Sequence, residues 1–286
     1  RSKPNILIIV ADQQRYDCLG YAGVYPVKTP NLDRLASEGA WFTNAYTPIP
    51  VCAPARQAFL NGRRPETFGA LWNYGISLEV PALSPKEYSW VRDLKSEGYR
   101  TSFIGKWSGN PYYGPEEYGF DDSVGIKEYQ IFRKNKYPGH EYKGGWMGEI
   151  DPVPYQDNIS HWLADRAIEK IEEYSDGKKP WHIRLDFPGP HLPCRPSKEF
   201  AQMYKPEDIP PWPSFEDDFH NKPYIQKQLL YNWGIEDYTW ADWSSTVALY
   251  YATISEIDHA IGRMLQRLEE LGQAENTIVI YTTDHG

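Results

Sequence analysis

Short apolar runs alternate with amphipathic stretches along the whole chain. Asn5 leads into Ile6-Leu7-Ile8-Ile9-Val10, an unbroken apolar run rich in β-branched residues. It predicts a buried, parallel strand ending at Ala11-Asp12. Residues 29–39 predict a short helix, with Thr29 at the cap, Pro30 at the first position and Gly39 at the close. Residues 40–46 (Ala40 to Tyr46) predict a second strand. Pro54 to Leu60 predicts a helix stopped by Asn61-Gly62, which puts Cys52 at or just before a helix N-terminus. Free N–H groups and the positive dipole end there favour an anion. Arg100 to Lys106 predicts a strand, and Ile159 to Tyr174 an amphipathic helix. Trp181 to Phe187 predicts a strand that runs out into Pro188-Gly189-Pro190-His191. Ser245 to Leu271 predicts a long helix with apolar residues at 247, 250, 254, 257, 261, 264 and 268, stopped by Gly272. Thr277 to Thr282 predicts a last strand, ending at Asp284-His285-Gly286.

Strands that alternate with helices predict an α/β class: a large, mostly parallel sheet sandwiched by helices. Each polar motif falls just after a strand, and ligands of open α/β sheets bind off the carboxyl ends of strands. Two stretches break the rhythm. Residues 110–156 are rich in Tyr, Gly and Pro, and residues 195–243 in Pro, Trp and acids. Both predict loop-rich insertions of the kind that carry specificity. The chain stops on Gly286 directly after a motif, which predicts the N-terminal part of a longer protein.

Composition narrows the function classes. A chain of 286 residues can bury a real core in one large domain. Its net charge of −9 argues against a nucleic-acid backbone as partner. It leaves room for an anionic substrate, because a local metal and a few cations override the global sign. No apolar run approaches the roughly twenty residues of a membrane span. Cys18, Cys52 and Cys194 do not make a disulfide framework, although a single Cys18–Cys194 pair stays open. Aromatic residues are 15% of the chain, with 22 Tyr and 11 Trp, enough to line a sugar or organic-cation site.

The candidate chemistry begins with Cys52-Ala53-Pro54-Ala55-Arg56. Alone, five residues are a weak signal, and a small cysteine is more often a core residue. Here Asp12-Gln13, Ile104-Gly105-Lys106-Trp107, Pro190-His191-Leu192-Pro193 and Asp284-His285-Gly286 accompany it in order. Together these segments resemble the type I sulfatases of the alkaline-phosphatase-like superfamily, over nearly the whole chain. The Asp-Gln and Asp-His-Gly variants resemble the choline sulfatase and phosphonate monoester hydrolase branch. The resemblance makes residues 1–286 the N-terminal part of a catalytic domain, incomplete at the C-terminus, with the family's smaller C-terminal subdomain missing.

It also implies a mechanism. Cys52 would be oxidised to formylglycine by a formylglycine-generating or anaerobic maturation enzyme. The aldehyde hydrate, bound to one divalent metal, would attack sulfur or phosphorus, and the second hydroxyl would let the ester collapse. Asp12, Gln13, Asp284, His285 and the modified Cys52 are the implied ligands. That oxygen-rich set suits Ca²⁺ foremost, with Mg²⁺ or Mn²⁺ as alternatives. Arg56, one helical turn from Cys52, is expected to hold the nucleophile's oxyanion, and Lys106 to contact the sulfate. Ser108 stands where the family carries a histidine, so His191 or His285 is left to protonate the leaving oxygen. The resemblance implies hydrolysis of a sulfate monoester, small or saccharide, with a sulfated carbohydrate the family's usual case. A phosphonate monoester or phosphodiester hydrolase and a non-catalytic relative are the alternatives. Compartment stays open between a bacterial periplasm and cytoplasm.

Overall fold

The computed structural model describes residues 3–75 and 79–286. Its strands are β1 (Asn5–Asp12), β2 (Arg100–Gly105), β3 (Asp122–Gly125), β4 (Trp181–Pro190) and β5 (Thr277–Thr283). All pair in parallel in one sheet of order β3-β2-β4-β1-β5. The helices are α1 (Pro30–Glu38), α2 (Cys52–Asn61), α3 (Trp90–Ser96) and α4 (Ile126–Lys136) in the first half. The second half adds α5 (Ile159–Ser175), α6 (Lys198–Ala201), α7 (Tyr224–Trp233) and α8 (Trp240–Glu270).

Both faces of the central strands are buried, as expected of a parallel sheet covered by helices. Leu7 and Ile9 of β1 and Ile183, Leu185 and Phe187 of β4 pack one face against α5 and α8. Phe103 of β2 packs the other against Leu60 of α2 and Val91 of α3. The result is the predicted α/β sandwich. Parallel strands send all their carboxyl ends to one edge, and the ends of β1, β2, β4 and β5 there carry the polar motifs.

Two local features shape that edge. The β1–β4 pairing slips between Val10 and Asp12, a bulge that re-aims Asp12 at the end of β1. Gly105 ends β2 at a φ of +104°, and a Cβ there would lie 2.0 Å from the Asp186 carbonyl oxygen. Only glycine lets β2 approach β4 this closely just before Lys106.

Several expectations are corrected. Residues 40–46 form no strand: Phe42 is 79% and Tyr46 87% exposed, and only Trp41 leans on the core. A strand needs a ladder partner and one buried face, and this run has neither. The helix at Cys52 opens at Cys52 itself, two residues before Pro54, because proline is tolerated in a first turn. Thr29 does not cap α1; its hydroxyl accepts from Gly20 N–H and donates to Asp33. Asp258 of α8 takes the N–H groups of Asn31 and Leu32 instead, at 3.3 and 2.8 Å. The long helix starts at Trp240, where Thr239 and Asp242 form a capping box. The two loop-rich insertions also contain β3, α4, α6 and α7. Cys18 and Cys194 are buried free thiols with no bond between them.

Candidate active site

The strand ends and the α2 N-terminus bring the predicted residues together. Cys52 is the first residue of α2, and its Sγ lies 3.5 Å from Asp12 Oδ1. His285 Nε2 is 3.3 Å from the same sulfur and Lys106 Nζ is 3.7 Å. Asp12, Cys52, Asp284 and His285 are all buried, and each offers one ligand atom within 4.8 Å of the others. The Ala53 N–H beside the sulfur donates to Asn73 Oδ1 at 2.9 Å, so this end of α2 is partly capped by a neighbouring loop.

Arg56 departs from its expected place. Its Nε donates to Asp284 Oδ2 at 2.8 Å and its Nη2 to Asp12 Oδ2 at 3.0 Å. Its Nη1 donates to Asp186 Oδ2 at 2.5 Å and to the Lys106 carbonyl at 3.1 Å. All three nitrogens are therefore engaged with carboxylates and backbone rather than with Cys52. The side chain is 2% exposed, so each of these bonds acts where water is absent. Lys106 donates to Asp12 Oδ2 at 2.5 Å. Arg184 meets Asp186 in a two-pronged pair at 2.8 Å on each prong. Three carboxylates thus face two guanidiniums and one ammonium.

The two candidate metal carboxylates titrate in opposite directions. Burial pushes Asp12 up, but Arg56 and Lys106 outweigh it and hold the carboxyl below its ordinary value. Asp284 is pushed above its ordinary value by burial, with Arg56 offsetting only part and Asp12 adding to the rise. A cation would relieve the crowding of the buried Asp284 by its neighbour Asp12. Burial disfavours a charged His285, yet Cys52 and Asp284 outweigh it and raise the imidazole above its ordinary value.

Gln13 is placed by its backbone. It adopts a left-handed φ of +60°, its N–H donates to Asp284 Oδ1 at 3.1 Å, and its carbonyl accepts from Tyr250 Oη at 2.9 Å. His191 stands at the rim, within electrostatic reach of Asp12. Its Nδ1 lies 2.5 Å from the Leu192 carbonyl oxygen and so carries the proton, which leaves Nε2 unprotonated in the neutral ring. Ser108, at the position of the family's histidine, is buried beside the Tyr74 phenol.

Sequence reasoning missed Asp186, Arg184, Tyr250 and Asn73. The first two had a signal: His182, Arg184 and Asp186 alternate with apolar residues inside β4, so one face of a buried strand is charged. Buried charge of this kind persists only when paired. Tyr250 and Asn73 had none.

The family profile described as Sulfatase matches residues 4–286. An arylsulfatase of Clostridium perfringens is 31% identical, over 99% of this chain and 63% of that protein. An ulvan-active sulfatase of Formosa agariphila is also 31% identical, over 100% of this chain and 51% of its own length. Among solved structures, a phosphonate monoester hydrolase from Silicibacter pomeroyi superposes with a TM-score of 0.80 at 22% identity. That match covers 99% of this chain and 63% of the hydrolase, and it bears on fold alone. The chain spans between half and two thirds of these relatives. It belongs to the sulfatase family, whose members generally use a metal ion and a formylglycine.

Proposed function

We propose that this chain carries the nucleophile and anion-binding groups of a sulfuric ester hydrolase that cleaves organic sulfate monoesters, with a saccharide sulfate as the leading substrate class. The convergence of Cys52 with Asp12, Asp284, His285 and Lys106 carries this reading: one nucleophile position and one candidate cation site in a buried cluster, with the Lys106 ammonium, paired to Asp12, beside the sulfur.

The donors fit a hard divalent metal. Two carboxylates and an imidazole surround Cys52, and its thiol sulfur marks where a formylglycine hydrate oxygen would lie. Asp12, Asp284, His285 and that oxygen would hold the ion, with the Gln13 side-chain oxygen as a further ligand; Ca²⁺ suits the oxygen-rich set best. When bound, the metal would lower the pKa of the attacking hydroxyl and offset charge growing on the ester oxygens. The protein's own groups do the rest. Lys106 binds the non-bridging sulfate oxygens. Arg56 acts indirectly, holding Asp12 and Asp284 in place and balancing their charge. His285 Nε2, 3.3 Å from the Cys52 sulfur, is placed to exchange a proton with the nucleophile. His191, as the imidazolium with Nε2 also protonated, is the donor proposed for the departing alcohol, from the rim. Water, alcohol and sulfate balance the reaction.

The saccharide preference over a quaternary cation rests on the first insertion. The Tyr142 ring is covered by Arg195 at 3.7 Å and Arg133 at 4.1 Å, so it has no free face for a positive ligand. The second reading, a phosphonate monoester hydrolase, is favoured by the Asp12-Gln13 and Asp284-His285 pairs alone.

One comparison tests both. Protein matured in a host with a formylglycine-generating enzyme is assayed on 4-nitrophenyl sulfate and on an aryl phosphonate monoester. The expected result is a higher kcat/KM on the sulfate, with Cys52→Ala reducing kcat at least about a thousandfold, as nucleophile loss does. A preference for the phosphonate by orders of magnitude would replace the first reading with the second. Unchanged turnover in Cys52→Ala would end both.

A further inference from the structure

The first insertion and the chain beyond β4 enclose a cavity of about 380 Å³. Arg133 and Lys134 of α4, Tyr137, His140, Tyr142 and Arg195 line it. Glu141 is the one acid in the lining. Three permanent cations against one carboxylate is an inversion of sign in a chain of net charge −9.

The cations differ in how far they are satisfied. Arg133 is held by Asp151 at 3.2 Å, and Asp151 is saturated: it also accepts from Tyr142, Asn158 and the Val153 N–H. Arg195 stacks on Tyr142, and its only ion-pair neighbour is Glu149, 3.9 Å from Nε. Glu149 in turn accepts from the N–H groups of Lys143 and Gly144. The Arg195 guanidinium donates no hydrogen bond among the described residues, and its Nε is a buried atom without a partner. Lys134 has no hydrogen bond or ion pair among the described residues and is exposed. The cavity therefore offers Arg133, anchored at Asp151 through one nitrogen but with a buried Nε that has no partner, two further cations with unused donors, and the rings of Tyr137 and His140.

Its place in the fold ties it to Cys52. β3 ends at Gly125, and the next residue opens α4, so this wall rises from the same carboxyl edge as the active site. The opposite wall, Arg195, lies four residues beyond His191, a reach of at most about 14 Å of extended chain. An oligosaccharide is long enough to cover any separation up to that limit.

We propose that this cavity is a second anion subsite, which binds a sulfate or carboxylate substituent of a saccharide whose scissile sulfate ester lies at Cys52. This rests on the saccharide sulfatase reading above. Lys134 and Arg195 supply the charge-assisted hydrogen bonds, Arg133 fixes the Tyr142 ring beneath Arg195, and the substrate is selected by the spacing of its two anionic groups.

Binding is read separately from turnover. Cys52→Ala protein, which cannot turn substrate over, is titrated by calorimetry with a heparin hexasaccharide and with a hyaluronan hexasaccharide, whose only charges are carboxylates. Lys134→Gln, Arg195→Gln and the double variant are compared in that background. The control is Lys127→Gln, which removes the same charge from an exposed position of α4 outside the cavity. The double variant is expected to weaken at least one hexasaccharide about tenfold, from two partly exposed charged contacts worth a few-fold each. Loss with heparin alone assigns the subsite to sulfate, and loss with both includes carboxylate. Lys127→Gln is expected to bind within twofold of its parent. With Cys52 restored and matured, the double variant is expected to leave kcat and KM on 4-nitrophenyl sulfate unchanged. Unchanged affinity for both hexasaccharides, or equal loss in Lys127→Gln, overturns the subsite. Lys134→Gln alone keeps the test valid if Arg195→Gln disturbs folding. A matured enzyme inactive on every sulfate would remove the sulfatase reading, while the titration would still report on the cavity.

Discussion

The Arg56 guanidinium meets Asp12, Asp186 and Asp284 at once from a position that is 2% exposed. A planar fork with fixed donor directions can do this; a lysine ammonium, compact and on a flexible stem, cannot reach three carboxylates in those directions. Arg56→Lys would keep the charge and strand at least one buried carboxylate. Breaking a buried pair from one side costs about 3–5 kcal/mol, because the abandoned charge has no water to return to. Urea unfolding of Arg56→Lys is expected to show a loss of at least about 3 kcal/mol. A midpoint equal to wild type would mean that Lys106 and Arg184 hold the cluster without it. Only part of this was legible in the sequence. Arg56 stood out by its spacing from Cys52, which pointed to the nucleophile as its partner. Its actual partners lie on β1, on β4 and just past the end of β5, and nothing local in the chain pairs them. Asp186 could have been found by asking why a central strand carries charge on one face.

At the scale of elements, α8 is joined to α5 and to the chain after β4 through Glu256. Its carboxylate accepts from the Ser197 hydroxyl at 2.7 Å and the Ser197 N–H at 3.0 Å, and it lies 3.8 Å from His161 Nδ1. Burial drives the Glu256 carboxyl from 4.5 up to about 8, and burial drives His161 from 6.5 down to about 3. The two have opposite consequences. Between pH 4.5 and 8 the folded chain keeps the Glu256 proton that the unfolded chain has lost, so this contribution is full below 4.5 and lost as pH rises through about 8. The His161 contribution is full above 6.5 and lost as pH falls toward 3. Glu256→Gln keeps an acceptor for Ser197 and removes only the first effect. Its stability relative to wild type is expected to rise between pH 5 and pH 8, by about 2 kcal/mol and by no more than about 5. Urea midpoints at pH 5, 6.5 and 8 measure this, and parallel curves would refute it. The elements themselves were unequally legible. β1, β4, β5 and α8 were plain because long apolar runs with one period leave one solution. β3 was not, being four half-buried residues at the sheet edge. Residues 40–46 misled, because an aromatic-rich run makes a strand only when a partner is there to pair with it. Thr29 misled similarly: its spacing was that of a cap, but Asp258, over two hundred residues on in sequence, reached the same N–H groups.

Across the whole molecule, charge is arranged against the global trend. The chain carries a net −9, yet the buried centre pairs Asp12, Asp186 and Asp284 with Arg56, Arg184 and Lys106, and the flanking cavity is positive. Within that centre Arg56 and Lys106 hold Asp12 below its ordinary value, while Asp284 is pushed toward its neutral form by burial and by its neighbour Asp12.

 A divalent cation between the two carboxylates would ionise both, so the folded chain should bind it and be stabilised by it, whereas the unfolded chain has no such cluster. At a ligand concentration a hundred times Kd the gain is about 2.7 kcal/mol, which raises Tm by about 5 °C in a protein of this size. Thermal melts of chelator-treated protein, with and without added Ca²⁺ and with Mg²⁺ and Mn²⁺ alongside, are expected to show that rise and to rank the ions. Asp284→Asn is expected to lose most of the metal-dependent shift, whatever its own Tm, because it removes one charge from the donor set and keeps its shape. If added metal moves neither protein, Arg56 and Lys106 already balance the centre, and Asp12, Asp284 and His285 do not form a metal site in this chain.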